Sequence, residues 1–372
     1  MIKSCFALLL SSLLLSIESF SQFRKYSNEF LNIGAGAKGL GMGNAQVASV
    51  KDATAGYWNP AGLAAVKYNP TATVMHADYF GGIAKYEYVG VAVPIQENKR
   101  TLGVSLLRFA VDDIPNTLFL VDPDGSVNYN NIQSFSSADY ALLMSVAQTL
   151  KETEKYKLLI GVNAKVIYRK VGSFASAWGF GFDAGLQMKG EKWSVGAVIK
   201  DLTTTFNAWH FTFTDKEKQI LYLTKNAIPL NTQEFTAPRL NLGGSYDFNI
   251  TENFKLQAEA NIDVTFDGKR NTVLSGKTIS IDPHIGLEAS IKDGFFVRAG
   301  LTNFQRALAD GDTLNQKKVW IYQPSLGAGF KIKKINVDYA FTNLANQSNP
   351  LYTHVISLRI NLGNNDEEDV EE

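Results

Sequence analysis

Cysteine is almost missing from this chain. The one present, Cys5, stands within the first 21 residues, too early and with the wrong neighbours for a lipoprotein attachment site. A chain processed after Ser21 would hold no disulfide, no thiol nucleophile and no thiolate metal ligand. Histidine is nearly as scarce: His76, His210, His284 and His354 are scattered, and no pair has metal-ligand spacing. No Ser–His arrangement stands out, so neither an enzyme, a cofactor nor a metal centre is expected. An excess of charge is also lacking, since 36 Lys and Arg balance 36 Asp and Glu, and nothing in the composition points to nucleic acid. Beyond the N-terminal leader no apolar run approaches 18 residues, so no transmembrane helix is expected.

What is present begins with that leader. Lys3 supplies a positive n-region, Phe6 to Leu15 an apolar stretch, and Ser19 and Ser21 the small residues at −3 and −1. Residues 1–21 therefore read as a secretory signal peptide. An exported chain with many alternating strands suits the bacterial outer membrane; a soluble periplasmic β protein is the alternative.

The most informative stretch is Phe254 to Phe266. Phe254, Leu256, Ala258, Ala260, Ile262, Val264 and Phe266 are apolar, and the residues between them, Lys255 to Thr265, are polar. A period of two is a β-strand with two unlike faces. Charges in mid-strand on one face, and an aromatic at each end of the other, fit a membrane barrel with lipid outside and a polar lumen. Fourteen such candidates follow Pro70, near 71–80, 85–94, 100–111, 137–150, 156–169, 176–189, 193–202, 237–248, 254–266, 279–292, 295–305, 318–332, 335–343 and 351–362. Strands 71–80 and 100–111 alternate less regularly and read as bulged.

Short polar turns at 96–99, 151–155, 190–192, 249–253, 292–294 and 333–334 alternate with connections that include long ones at 112–136, 203–236, 267–278 and 306–317. That asymmetry is the loop polarity of an outer-membrane barrel. Because lipid satisfies no backbone polar group, the sheet must close. The expected fold is all-β: a transmembrane antiparallel barrel of about fourteen strands over 68–363, contacting membrane lipid. A Gly-rich N-terminal plug or hatch over 22–67 is expected in or under its lumen, and an acidic periplasmic tail over 364–372.

The lumen would carry charges of both signs: Lys165, Arg169, Asp183, Lys200, Lys255, Glu259, Asp263, Asp282, Glu288, Arg298, Lys331, Asp338 and Arg359. They read either as a selectivity lining or, the favoured reading, as an ion-pair network against the N-terminal segment. The small lumen residues Gly161, Gly179, Gly181, Gly185, Gly196, Gly300, Gly327 and Gly329 leave room for that segment. Asp122 to Gly125 reads as a turn rather than a calcium loop, because further spaced oxygen ligands are missing. Leu118, Phe119 and Leu120 in one long loop, and Trp209, Phe211 and Phe213 in the other, form a candidate partner-binding surface. A lid that buries these groups itself is the equal alternative.

The string from Gly39 to Ala64, with Gly41, Met42, Gly43, Asn44, Asp52, Trp58, Asn59, Pro60, Gly62 and Leu63, resembles the N-terminus of the PorV/PorQ family. It is also similar to FadL-type outer-membrane transporters, where an Asn-Pro-Ala-Gly-Leu-like stretch sits in the hatch. The first resemblance implies a type IX secretion accessory whose partners are a secretion translocon or secreted cargo proteins. The second implies passage of a hydrophobic small molecule. The mainly polar lumen faces, with Leu159, Ile167, Val198 and Ile321 as exceptions, favour the first, since a transport route should be mostly apolar.

Overall fold

The computed structural model describes residues 25–66, 70–95, 99–122, 124–308, 318–344 and 352–363. The leader and the acidic tail lie outside the described residues. The chain after Pro70 builds β1 (Thr71–Tyr79), β2 (Ala84–Ile95), β3 (Arg100–Asn116), β4 (Gln133–Glu152), β5 (Lys157–Val171), β6 (Ala175–Lys189) and β7 (Trp193–Lys200). Then come β8 (Thr205–Phe211), β9 (Thr232–Thr236), β10 (Arg239–Thr251), β11 (Phe254–Thr265) and the two-residue β12 (Leu274–Ser275). The last five are β13 (Ser280–Ile291), β14 (Phe295–Leu308), β15 (Lys318–Ile332), β16 (Ile335–Thr342) and β17 (Thr353–Asn361).

All neighbouring strands run antiparallel, and β1 pairs with both β2 and β17, so the sheet closes on itself. β8 prolongs the wall along Ala175–Phe180 of β6 beyond the end of β7 and pairs with β9, and β12 is a short pairing on β13, which leaves a ring of fourteen strands. The expected strands appear within a few residues of their expected limits. Two long connections differ: β3 and β4 continue into 112–136, and 203–236 contains β8, β9 and a helix, Asp215–Leu223. The expected irregularity of 100–111 lies at its end, where the register shifts between Val111 and Ile114. β1 pairs in unbroken register on both sides. Asp122 to Gly125 is a turn, with Gly125 N–H donating to the Asp122 carbonyl at 2.9 Å and Val121 bridging Val127; Pro123 lies outside the described residues.

The alternation sorts as physics requires. On β6, Trp178, Phe180, Phe182 and Leu186 are exposed on the outer wall, while Gly179, Gly181, Asp183, Gly185 and Gln187 are buried inside. On β11, Ala260 faces out while Glu259 and Asn261 are buried. Outward Val, Leu, Ile and Phe on nearly every strand make an apolar band with aromatics towards its ends, the surface that a bilayer solvates and water does not. No described helix is long and apolar enough to cross a membrane; the strands do so.

Candidate functional site: lumen and vestibule

The lumen is filled from the N-terminal side. Residues 34–66 are almost entirely buried, and their side chains and backbone bond to inward groups of the ring. Asn59 is fully buried; its Nδ2 donates to the carbonyls of Val47 at 2.9 Å and Leu186 at 3.0 Å, and its Oδ1 accepts from Ala61 N–H at 3.2 Å. Asn59 therefore caps the 3-10 helix Pro60–Ala65, whose first position suits Pro60 because that N–H has no partner to lose. Trp58 Nε1 donates to the Ala35 carbonyl at 2.8 Å, and its ring meets Tyr57 edge-on at 4.9 Å. Asp52 accepts from Thr54 N–H at 2.9 Å and pairs with Arg359 of β17 at 2.5 Å.

Each motif residue is thus brought to one place. Met42 is fully buried, and Gly41 lies against Gly327 of β15. Gly43, at φ +61, touches the backbone of Gly300 and Leu301 on β14, where a side chain has neither the conformation nor the space. Asn44 donates to the Ile33 carbonyl at 3.2 Å; Gly62 approaches the Val50 carbonyl, and Leu63 fills the space beside Gly103. A Cβ added at Gly161, Gly185, Gly196 or Gly300 would overlap residues 42–61. These lumen glycines are therefore a mould of the segment, whereas Gly179 and Gly181 make room for Asn207 and Thr205 of β8, and Gly329 for Asp338.

The inward charges are largely paired, as the network reading expects. Glu288 receives Lys38 of the segment at 2.9 Å and Arg298 at 2.5 Å, and Arg298 also reaches Asp338 at 2.6 Å. Buried Lys165 bridges Asp183 at 2.7 Å and Asp201 at 2.5 Å. Glu259 accepts from Ala48 N–H at 2.8 Å. Lys255 and Lys331 are different: both stand at the rim rather than in the lumen network, Lys255 with Asp293 and Lys331 exposed beside the turn at Gly294. Burial of single charges is costly without such partners. Among the described residues no group of three or more His, Cys, Asp and Glu is arranged to hold a metal ion.

Above the segment, on the side of the long loops, opens a vestibule of about 560 Å³. One side of it is apolar, with Phe30, Ile33, Leu40, Tyr79 and Phe109; the other is ionic, with Arg169, Arg239, Asp263, Asp282 and His284. Around the segment the spaces shrink to about 10 Å³ beside Asp52 and Arg359 and about 20 Å³ beside Val47 and Trp58, room for one water at most.

The apolar side is what sequence reading missed. On β1 the inward residues include Met75, Ala77 and Tyr79, while His76 and Asp78 face out. Tyr86, Tyr88 and Leu107 are also inward and fully buried. Polarity is inverted on β1, and apolar groups occupy both faces of β2 and β3, so alternation alone does not separate lumen from lipid there.

The candidate loop residues divide. Trp209 shares the inward register of buried Thr205 and Asn207; its Nε1 donates to Glu234 at 2.7 Å, its ring stacks on Phe211 at 6.1 Å, and Arg169 lies 5.1 Å from its centre. Phe213 meets Phe174 at 5.9 Å. Leu118, Phe119 and Leu120 are half-buried, with Lys216 over Phe119 at 4.9 Å.

No family model and no curated protein matches the chain. Solved structures do. The toluene transporter TbuX of Ralstonia pickettii superposes with a TM-score of 0.54 at 13% identity, covering 89% of this chain and 99% of that one. The CymD monoaromatic hydrocarbon channel gives 0.53 at 14%, covering 89% and 98%. The toluene transporter TodX of Pseudomonas putida gives 0.53 at 12%, covering 88% and 98%. The chain shares the closed antiparallel barrel fold of these transporters and channels. At these identities the likeness is one of fold, and the neighbours are transporters and channels rather than enzymes.

Proposed function

We propose that the protein is a FadL-like transporter that admits a hydrophobic small molecule from outside into the vestibule, with residues 22–67 as its hatch. The observation that carries this reading is the vestibule itself. A concave space of about 560 Å³ with an apolar side and a few ordered polar groups is the kind of site that takes a small apolar ligand. The descriptions of TbuX and TodX as toluene transporters support it. The inward Tyr79 and Phe109 line the vestibule and supply the apolar lumen surface that a route needs. The test is uptake of radiolabelled toluene and of a long-chain fatty acid by cells expressing the full chain. Uptake above that of cells lacking it supports the proposal, and no uptake of either, with the barrel folded, rejects it.

A secretion accessory of PorV/PorQ type is the second reading. It is favoured by the Gly41-Met42-Gly43 and Trp58-Asn59-Pro60 features and by the exposed Tyr222, Leu223 and Leu230 of the large outer loop. Its partners would be a translocon subunit or secreted cargo docking on the outer loops, with Leu118 to Leu120 and Trp209 to Phe213 as candidate contacts. Co-purification from native membranes separates the two: a protein partner supports this reading, a bound apolar molecule alone the first.

A further inference from the structure

A second concavity lies on the outer wall. It is a groove of about 760 Å³ lined by Arg108, Asp112, Phe135, Tyr140, Tyr168 and Lys170, among others. Register places it on the lipid side. Arg108 has the parity of exposed Leu102, Val104 and Leu106; Tyr140 that of Met144 and Val146; Tyr168 and Lys170 that of Val162. Their alternating neighbours Leu107, Ala141 and Ile167 are buried inside. The transport site and this groove therefore lie on opposite sides of the wall.

Its height in the bilayer follows from the cross-strand rung. Arg108 pairs with Tyr140, Tyr140 with Tyr168 and Tyr168 with Trp178. Trp178 tops the outward apolar run of β6, and Tyr168 contacts it at 4.7 Å. Aromatics at the end of the apolar band mark the membrane interface. One wall of the groove stands above that level. β3 and β4 run past the last paired residues of β2 and β5, and the register shift between Val111 and Ile114, with Asp113 at φ 55, bends the hairpin there. Phe135 on that hairpin meets Phe174 at 5.3 Å.

We propose that this groove binds the phosphate-bearing headgroup of an outer-leaflet lipid. Two cations flank it, Arg108 on the wall and Lys170 at the exposed end, with the Tyr140 and Tyr168 rings, 6.3 Å apart and inclined at 28°, between them. Arg108 gives Nη1 to Glu87 at 3.0 Å, which holds the guanidinium in place on the wall. The guanidinium fork carries further donors and matches a phosphate. Asp112 stands on the exposed lip of the groove. The apolar wall below, Val104, Leu106, Leu142 and Val166, continues towards the acyl region. The occupant is a lipid because the groove is continuous with the lipid-solvated wall.

The experiment uses the full-length protein purified in detergent, titrated with lipid A and separately with dephosphorylated lipid A, and read by native mass spectrometry. One phosphorylated lipid A should be retained, with the dephosphorylated form at least about tenfold weaker, since a charge-assisted contact is at stake. Lys170→Gln and Tyr168→Ala should each weaken retention, whereas Lys318→Gln, on the outward face of β15 far round the ring, should not. Heat-modifiable gel mobility confirms folding of each variant. Arg108→Gln removes the partner of Glu87, so Lys170→Gln keeps the test decisive if that variant fails to fold. Equal binding of both lipid forms, or unchanged binding by folded Lys170→Gln, overturns the proposal. Toluene or fatty-acid uptake is a separate measurement, so either reading can fail alone.

Discussion

The side-chain amide of Asn59 donates to the Leu186 carbonyl at 3.0 Å, joining the N-terminal segment to a strand 127 residues later in the chain. The same amide group holds Val47 and caps Pro60–Ala65, so one buried residue ties the segment to itself and to the wall. Asn59→Ala should leave buried carbonyls without their donor, at about 1–3 kcal/mol. The ring of strands does not depend on that group. The expected outcome is a barrel with normal heat-modifiable mobility whose residues 25–66 become accessible to protease. Unchanged protection would show that Asn59 does not anchor the segment.

Steric exclusion gives a sharper prediction. A Cβ at Gly300 would run into the backbone of Met42 and Gly43, whereas one at Gly244, on the lipid face of β10, meets nothing within 4 Å. Gly300→Val should displace the segment or block assembly, and Gly244→Ala should be silent. Planar-bilayer conductance reads the difference: a steady current from folded Gly300→Val and none from Gly244→Ala is expected. Equal behaviour of the two would mean that the lumen is not packed as described.

How much of this was legible in the sequence follows from how strictly a face must choose. β6 and β11 alternate nearly without error because one side meets lipid and the other meets charges and glycines, and there the reading matched the structure. β1 to β3 were opaque because their lumen side packs the segment with Met75, Tyr86, Tyr88 and Leu107, as apolar as the lipid side. The helix Asp215–Leu223 announces itself by Thr214 and Glu217, a capping box whose reciprocal bonds are formed; the aromatics around it drew the reading to a loop instead. The mould of glycines could be suspected from their parity, but their partners in residues 42–61 are a tertiary fact.

Face assignment itself is testable. Ala260 lies on the outer wall opposite lipid-facing Gly244 and Ile285. Ala260→Arg near mid-bilayer should cost about 2–4 kcal/mol, and Ala260→Leu almost nothing. Urea unfolding in lipid vesicles measures both. Equal stability of the two variants would remove Ala260 from the lipid face.

The Asp52–Arg359 pair predicts a response to acid. Burial alone would push the Asp52 carboxyl up, but the Arg359 guanidinium and the bonds from Thr54 outweigh it and hold the group below the usual carboxylate range. Because the folded value is the lower one, the pair's contribution is present above the unfolded value of about 4. It is lost as pH falls through the folded value. Protease protection of residues 25–66 should therefore weaken below about pH 4, and Asp52→Asn should show reduced protection at neutral pH with a flatter acid profile. A profile identical to that of the unchanged protein would mean that the pair does not hold the segment.

The last prediction concerns Trp209, where two roles compete. Its indole donates to Glu234, stacks on Phe211 and shares Arg169 with Phe30, whose ring lies 5.9 Å from that guanidinium. Arg169 in turn is gripped by both Asp139 oxygens, at 2.8 and 3.1 Å. A side chain held on that many sides from within the hairpin β8–β9 is committed to the barrel mouth. Truncation should then act on the barrel: Trp209→Ala removes the indole's bond to Glu234 and the ring beneath Arg169, at about 1–3 kcal/mol, and should lower the temperature of the heat-modifiable shift. Recovery of any protein partner should be unchanged once the sample is cooled and folded. An interface role predicts the reverse, normal folding with lost recovery, because an anchor residue contributes only when the partner arrives. Making Trp209→Ala together with Phe211→Ala and measuring both quantities on one preparation decides between lid and docking surface.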